Sequence, residues 1–399
     1  MVALKEIFEA EFVPINDDDW SSLDYYADQL FRPYTAIDEN RLFAGRKEQL
    51  SDLINVRYRP GAHAVLYGER GVGKTSLTNI FNERIIAPAK YTKVLNIGCD
   101  PVDTFASIWT KVFFDYKWTD GTLVSEMIKE MPQPFTIFKI AESLAPSTLV
   151  VLDEFDRVQD VNAKGLIADT IKYLSDRPCH FTILIVGVGA SIEELVGSHP
   201  SIVRCCQEIK MPRMSDQELL QIIDDRMPIL HMRISSELSK IIVSSAHGFP
   251  GYVHLLSQLA VHSAVKRRSQ VITQDDIDQA TAQALDHAQE SVKRAYYKAI
   301  QSTKPDNLYR EVLLACARAP KNELGRFSAM DVCRPYSDIR GEEMSIMDYA
   351  RHLNAFCKQE RGPALIRFGE KKRYMYHFAN PLLEPLLLTI GKRQFPEPY

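Results

Sequence analysis

The sequence predicts an α/β domain, a parallel sheet sandwiched by helices, followed by an all-α domain and a C-terminal winged helix. Three observations predict it. A glycine-rich stretch, Gly68–Ser76 (GERGVGKTS), joins the apolar run 63–67 to the amphipathic run 77–86, which is the strand–loop–helix order of a phosphate-binding loop. Two further apolar runs, 147–152 and 181–187, alternate with helical segments, the pattern of a parallel sheet covered on both faces. From Ser215 the strands stop, helical periodicity takes over, and a hairpin pattern returns only near residue 364.

Residues 1–40 are aromatic and acidic, with Asp17–Trp20, Tyr25, Tyr26 and Phe31–Tyr34. They read as an extended N-terminal arm that packs on a domain or on a neighbour. The α/β domain covers 41–213. Leu42–Arg46 is a turn leading into a helix, 91–97 a buried strand, and 102–116 a helical stretch. Residues 117–134 mix Gly, Asp, Pro and charge and read as an insertion with one short helix. A helix over 160–177 and a strand around 207–211 complete this domain. The all-α domain, 214–303, has helices over 216–227, 235–246, 252–267 and 275 to about 300. Ser215 with Glu218 makes a capping box, and Thr273 with Asp276 a weaker one. The last domain, 304–399, has helices over 308–318 and 345–359, then strands 364–368 and 373–378 around a Gly-Glu-Lys-Lys turn.

At 399 residues the chain is too long for one compact core. Its net charge of −4 argues against coating nucleic acid through bulk charge, and leaves room for a local basic face. No run of about 18 apolar residues exists, so no membrane span is expected. The N-terminus MVALKEIFEAEF is acidic and lacks the apolar core of a secretory signal. The seven cysteines are scattered without C-x-x-C spacing, which points away from zinc or disulfides and towards a reduced, cytoplasmic setting. Cys205 and Cys206 pack or line a strand.

The chemistry sits in two motifs. In the loop, Gly68, Gly71 and Gly73 let the backbone take positive φ and approach an anion. The amides of Gly68, Glu69, Arg70, Gly71, Val72, Gly73, Lys74, Thr75 and Ser76 form a concave nest ahead of a helix N-terminus. Lys74 reaches the β and γ phosphates of ATP, and the Thr75 hydroxyl sits on Mg²⁺. The plain alternative is a glycine-rich turn with an exposed lysine. The second motif is the run 149–152 ending on Asp153 and Glu154. Asp153 holds Mg²⁺ and Glu154 polarises the attacking water as a general base; the alternative is a pair of helix-capping carboxylates.

A phosphate loop, an apolar strand ending in Asp-Glu, a helical domain and a C-terminal hairpin domain, in that order, resemble the AAA+ ATPases. The resemblance is to the branch of origin-recognition and Cdc6-type initiators and TnsC/TniB-type transposition ATPases, with the STAND ATPases as a neighbouring group. It covers residues of roughly 40 to 390, and only the two nucleotide motifs are specific. It implies an α/β P-loop NTPase with an all-α lid domain and a C-terminal winged helix. It also implies further site residues. Phe43–Arg46 resembles the segment against the adenine, which makes Arg46 a nucleotide contact, or else simply part of a helix-leading turn. Ser191 stands where a sensor of the γ-phosphate is placed. Arg204 stands near the family's arginine finger, or is a surface arginine. The initiators' arginine at the start of a lid helix is missing from Gly248–Tyr252. Gly-Phe-Pro there resembles the G-x-P element of STAND and transposition ATPases, whose proline, here Pro250, packs near the nucleotide.

The implied behaviour is nucleotide-dependent self-assembly. From Asp306 to Tyr399 there are 15 Lys and Arg against 12 Asp and Glu. Arg351, Asn354 and Lys358 are spaced to share a helix face that enters a major groove. Lys371, Lys372 and Arg373 sit at the hairpin tip, where a wing touches phosphates. Double-stranded DNA through 345–373 is therefore one partner reading. The other is an effector protein gated by a signalling or defence ATPase, with the winged helix, and the arm at Asp17–Trp20, used for protein contact.

Overall fold

The computed structural model describes residues 14, 16–86, 92–118, 120–130, 132–144, 147–177, 179–189, 191–197, 200–286, 290–302, 308–322, 325–369, 373–380 and 382–394. They form two compact units: Ala36–Pro212, and the described residues up to Thr35 together with those from Arg213 on.

The first helix among the described residues is α1 (Asp17–Leu30), within the stretch expected as an extended arm, whose residues 1–13 and 15 lie outside the described residues. Asn16 caps it through a reciprocal box with Asp19, and Leu23, Ala27 and Leu30 recur at helical spacing on its buried face. The α/β unit then runs α2 (Lys47–Arg57), β1 (His63–Gly68), α3 (Lys74–Ile86), β2 (Thr92–Gly98), α4 (Phe105–Val112), α5 (Val124–Glu130), α6 (Pro134–Ser143), β3 (Ser147–Asp153), α7 (Val161–Asp176), β4 (Phe181–Val188), α8 (Ile192–Val196), α9 (Pro200–Cys205) and β5 (Cys206–Met211).

All five strands are parallel, in the order β2-β3-β4-β1-β5. Parallel pairing puts every strand's C-terminal end at one edge of the sheet, so the loop after β1 and the carboxylates after β3 share that edge, with β4 between them. Apolar side chains of β1, β3 and β4 are buried on both faces. Trp109 stacks on Phe113 at 5.8 Å, and both rings meet Phe181 of β4. His63, at the start of β1, is also buried: its Nδ1 accepts the Ile183 amide of β4 at 2.9 Å, and burial pushes its pKa down to about 3.

The second unit continues with α10 (Asp216–Arg226), α11 (Ser236–Ala246), α12 (Pro250–Lys266), α13 (Gln274–Asp286) and α14 (Glu290–Ile300). The expected helix from 275 to about 300 is thus described as two. Helix α1 belongs to this bundle. The fully buried Arg226 donates to Leu30 O at 2.9 Å, and Gln258 donates to Phe31 O at 3.0 Å. The Ser215–Glu218 capping box forms.

The C-terminal part has α15 (Tyr309–Arg318), β6 (Phe327–Ser328), α16 (Ala329–Arg340), α17 (Ile346–Phe356), β7 (Leu365–Phe368), β8 (Met375–Phe378) and α18 (Leu383–Gln394). Strands β7 and β8 make the expected antiparallel hairpin, with β6 added beside β8. Two helices were not expected, α16 and α18. Pro335 lies inside α16 and masks it in the sequence. The helix persists because Ser328 and Asp331 cap it and Val332 and Tyr336 are buried. Among the described residues no helix is long and apolar enough to cross a membrane.

Candidate nucleotide site

The site is built on the C-terminal end of β1. Gly68 is required there, and the reason differs from the expected positive φ. A Cβ on Gly68 would stand 2.3 Å from Met211 O of β5, so it is close strand pairing that excludes a side chain. Positive φ within the loop belongs to Gly71 (85°) and Gly73 (95°). Nothing lies within 4 Å of the point where a Gly73 Cβ would be, so at Gly73 it is the backbone conformation, not crowding, that favours glycine. Val72 and Glu69 are buried and Arg70 is exposed. Ser76 faces inward, accepting the Ile37 amide at 3.0 Å, while Asn40 N donates to Glu83 at 3.1 Å. Residues 37–40 therefore run along α3, a contact that the sequence did not reveal.

Lys74 is 9 % exposed, and its Nζ donates to the carbonyls of Gly68 (3.1 Å) and Glu69 (2.8 Å). Burial drives its pKa down to about 8, against the attraction of Asp156, Asp153 and Glu69. The ammonium is thus curled onto carbonyls of its own loop.

Thr75 Oγ1 donates to Asp153 Oδ2 at 3.2 Å, which brings together the two residues expected on Mg²⁺. Burial raises the Asp153 pKa, although its Oδ1 accepts the Glu154 amide at 2.8 Å. Among the described residues no group of three or more His, Cys, Asp or Glu could hold a metal. A hydroxyl and one carboxylate beside a phosphate loop do suit Mg²⁺, which takes few protein ligands and completes its shell with water and substrate phosphate.

Glu154 has φ of 54°, left-handed for a residue with a Cβ, a conformation that costs about 1–3 kcal/mol and clusters at functional sites. It turns the chain sharply out of β3. The Glu154 carboxylate is exposed and paired to Arg157 Nη1 at 2.5 Å, and Arg157 Nη2 lies 3.6 Å from Asp100. Asp156 Oδ1 accepts the Val188 amide at 2.8 Å and so ties the segment after β3 to the end of β4. Neither Arg157 nor Asp156 was singled out in the sequence. Their proximity to Asp153 and Glu154 was the available signal.

The remaining expected residues have the following surroundings. Arg46 is buried with φ of 56°, and its guanidinium donates to Val72 O (3.1 Å) and Pro212 O (2.7 Å), so it braces the phosphate loop from behind. Ser191 is the N-cap of α8, accepting the Glu194 amide at 3.4 Å. Arg204, on α9, has its side chain 71 % exposed and pairs with Asp176 at 3.1 Å. Pro250 is the first residue of α12 in the second unit. On the basic face, Arg351 and Asn354 are exposed on α17, but Lys358 lies beyond the helix end, so the spacing i, i+3, i+7 does not form one helical face. Asn354 Oδ1 accepts from Arg367 of the hairpin at 3.2 Å. Lys371 and Lys372 lie outside the described residues.

Comparison with known proteins agrees with this geometry. The model of the family Novel STAND NTPase 1 matches residues 31–330. The ORC1-type DNA replication protein 2 of Thermoplasma acidophilum is 22 % identical over 256 residues, 60 % of this chain and 61 % of that protein. The chain thus spans less than two thirds of that relative's length. Among solved structures, the Aeropyrum pernix ORC1 protein in complex with DNA has a TM-score of 0.50 at 14 % identity, covering 92 % of this chain and 96 % of that one. A Walker-type ATPase of Pyrococcus abyssi has a TM-score of 0.52 at 14 % identity, covering 90 % and 99 %. At this identity the two structures speak for the fold alone, an α/β P-loop NTPase. The family match covers most of the chain and includes the phosphate loop, the Asp153–Glu154 pair and the Gly-Phe-Pro element: the chain belongs to the Novel STAND NTPase 1 family.

Proposed function

We propose that the chain is a magnesium-dependent ATPase that works as a nucleotide-dependent switch and assembles on DNA. The observation that carries this reading is the convergence of Lys74, Thr75 and Asp153 at one sheet edge, with Glu154 next in the chain. In this reading the loop amides and Lys74 bind the phosphates of ATP. Thr75 and Asp153 would hold Mg²⁺, which would supply charge neutralisation. Glu154 takes the proton of the attacking water once its carboxylate leaves Arg157. Arg204, exposed on α9, supplies a guanidinium to the nucleotide of a second copy, and Ser191 senses the γ-phosphate.

The α/β domain spans 41–213 in this reading, with 214–303 as the lid. Residues 304–399 form a winged helix-turn-helix, supported by the order helix, short strand, two helices and hairpin. DNA contact through 345–373 uses Arg351 and Arg367, with the hairpin turn as wing. DNA-related function is supported by the relative named for replication and by the neighbour solved on DNA.

The test is ATP hydrolysis by the purified protein, with and without duplex DNA, beside Lys74→Ala and Glu154→Gln. DNA stimulation lost in both variants supports the reading. A second reading rests on the family match and on Gly248–Pro250: a STAND-like signalling ATPase that gates an effector through protein contacts. It expects turnover indifferent to DNA. Failure of the wild type to bind ATP would sink both.

A further inference from the structure

Two consecutive residues are each pinned by a buried arginine network. In the α/β unit, Arg46 is 4 % exposed and joins Val72 O of the phosphate loop to Pro212 O, the last residue of that unit. In the second unit, Arg213 donates to both carboxylate oxygens of Glu384 (3.0 and 2.7 Å) and to His247 O (3.3 Å), and lies over the Phe249 ring at 4.4 Å. Glu384, near the start of α18 and 2 % exposed, also pairs with Lys321 at 3.1 Å. Lys321 is itself buried and donates to Ala317 O (2.6 Å) and Ala319 O (2.9 Å) at the end of α15. The 247–249 element is fitted to Arg213: Gly248 has φ of 86°, and a Cβ there would stand 2.6 Å from Arg213 Cβ.

One buried carboxylate thus serves two cations from distant parts of the chain. Apolar side chains of the same volume would hold these elements at least as firmly, so the ion cluster is poorly explained by stability alone. What it adds is a specific arrangement: if Arg213 shifts, the buried Glu384 carboxylate loses two donated bonds and is left against Lys321. A buried polar network is costly when only partly satisfied, so a shift of Arg213 is felt across the cluster.

We propose that Pro212 and Arg213 form a relay from the phosphate loop to the C-terminal helix. Arg46 passes a displacement of the loop at Val72 to Pro212. The covalent step to Arg213 passes it to the cluster that holds α18 and the Gly-Phe-Pro element. The proposal rests on the reading of Gly68–Ser76 as a nucleotide site.

The test is amide hydrogen exchange in the full chain at 247–249 and 383–391. It is measured without nucleotide, with ADP and Mg²⁺, and with a non-hydrolysable ATP analogue and Mg²⁺, while a fluorescent nucleotide reports binding in the same samples. The expected wild-type result is a change of about fivefold in exchange at 383–391 between nucleotide states. Arg46→Met, compared at nucleotide concentrations that give it the same occupancy as the wild type, should lose that change. Glu384→Gln should exchange faster at 383–391 in every state; if it does not fold, the Arg46→Met arm decides alone. Wild-type protein that binds nucleotide with identical exchange in all states overturns the relay and leaves the nucleotide reading standing. An Arg46→Met variant that keeps the full change also overturns it, as does one that no longer binds. Absence of nucleotide binding by the wild type removes the nucleotide reading, and the relay with it.

Discussion

Lys74→Met removes the charge and keeps most of the apolar stem. Without nucleotide, the drop in the Lys74 pKa from 10.5 to about 8 corresponds to about 3 kcal/mol held against the ammonium form. Deleting the ammonium also leaves the Gly68 and Glu69 carbonyls without that donor, at about 1 kcal/mol each. The difference favours the variant by about 1 kcal/mol, which for a unit of this size raises the melting temperature by about 2–4 °C. With ATP and Mg²⁺ at a hundred times the dissociation constant, the wild type should gain about 2.7 kcal/mol and the variant nothing, so the order of stability reverses. The assay is thermal unfolding at pH 7 with and without nucleotide.

The sign of the pH dependence gives an internal check. Below pH 8 folded and unfolded states are both protonated at Lys74, and the penalty is fully present. Between pH 8 and 10.5 the unfolded chain binds the extra proton, so wild-type stability rises by about 3 kcal/mol and overtakes that of the variant. A variant that melts several degrees below the wild type without nucleotide would refute the claim that the ammonium is held at a penalty. A variant that keeps the full nucleotide shift would refute phosphate binding by Lys74.

Glu154→Gln should leave nucleotide affinity unchanged and lower turnover by about 10²–10⁴-fold, read by single-turnover hydrolysis. Gly68→Ala sets a methyl against the Met211 carbonyl, a backbone atom fixed in the sheet, and should destabilise the α/β unit by about 1–3 kcal/mol in denaturant titration. His63, neutral when folded with its pKa at about 3, makes the unfolded chain the better proton acceptor below its ordinary value of 6.5. Stability should therefore fall by about 2 kcal/mol between pH 6.5 and 5 on its account, and His63→Gln should flatten that slope.

The α/β unit was legible because its signals are local. Apolar runs flanked by a glycine-rich loop or paired carboxylates specify a buried strand and the turn that leaves it, and Lys74, Thr75 and Asp153 meet as their motifs require. What the sequence hid was set by tertiary packing. Helix α16 carries Pro335 and survives on its cap and on buried Val332 and Tyr336. Arg46 reads as a nucleotide contact from its neighbours, but its left-handed φ sends the guanidinium to Val72 and Pro212, the latter 166 residues away in the chain. Helix α1 looked like an arm because its acidic residues outweigh the three buried apolar positions that dock it.

In this structure both reactive side chains are already engaged, and differently. Lys74 is buried on carbonyls of its own loop, so a triphosphate can draw it away by offering stronger, charged acceptors in the same place. Glu154 is exposed and paired with Arg157, which the phosphates do not replace as a partner. An exposed pair of this kind contributes only about 0–1 kcal/mol, so it delays general-base action by at most about fivefold and does not prevent it. On the proposed reading, binding and hydrolysis rest on separate interactions: the first on a buried cation with a lowered pKa, the second on a strained glutamate with a weak competing partner. On that reading nucleotide can be held whether or not Glu154 is free to act. The Lys74→Met and Glu154→Gln pair separates these two parts, since the first should abolish occupancy and the second should preserve it.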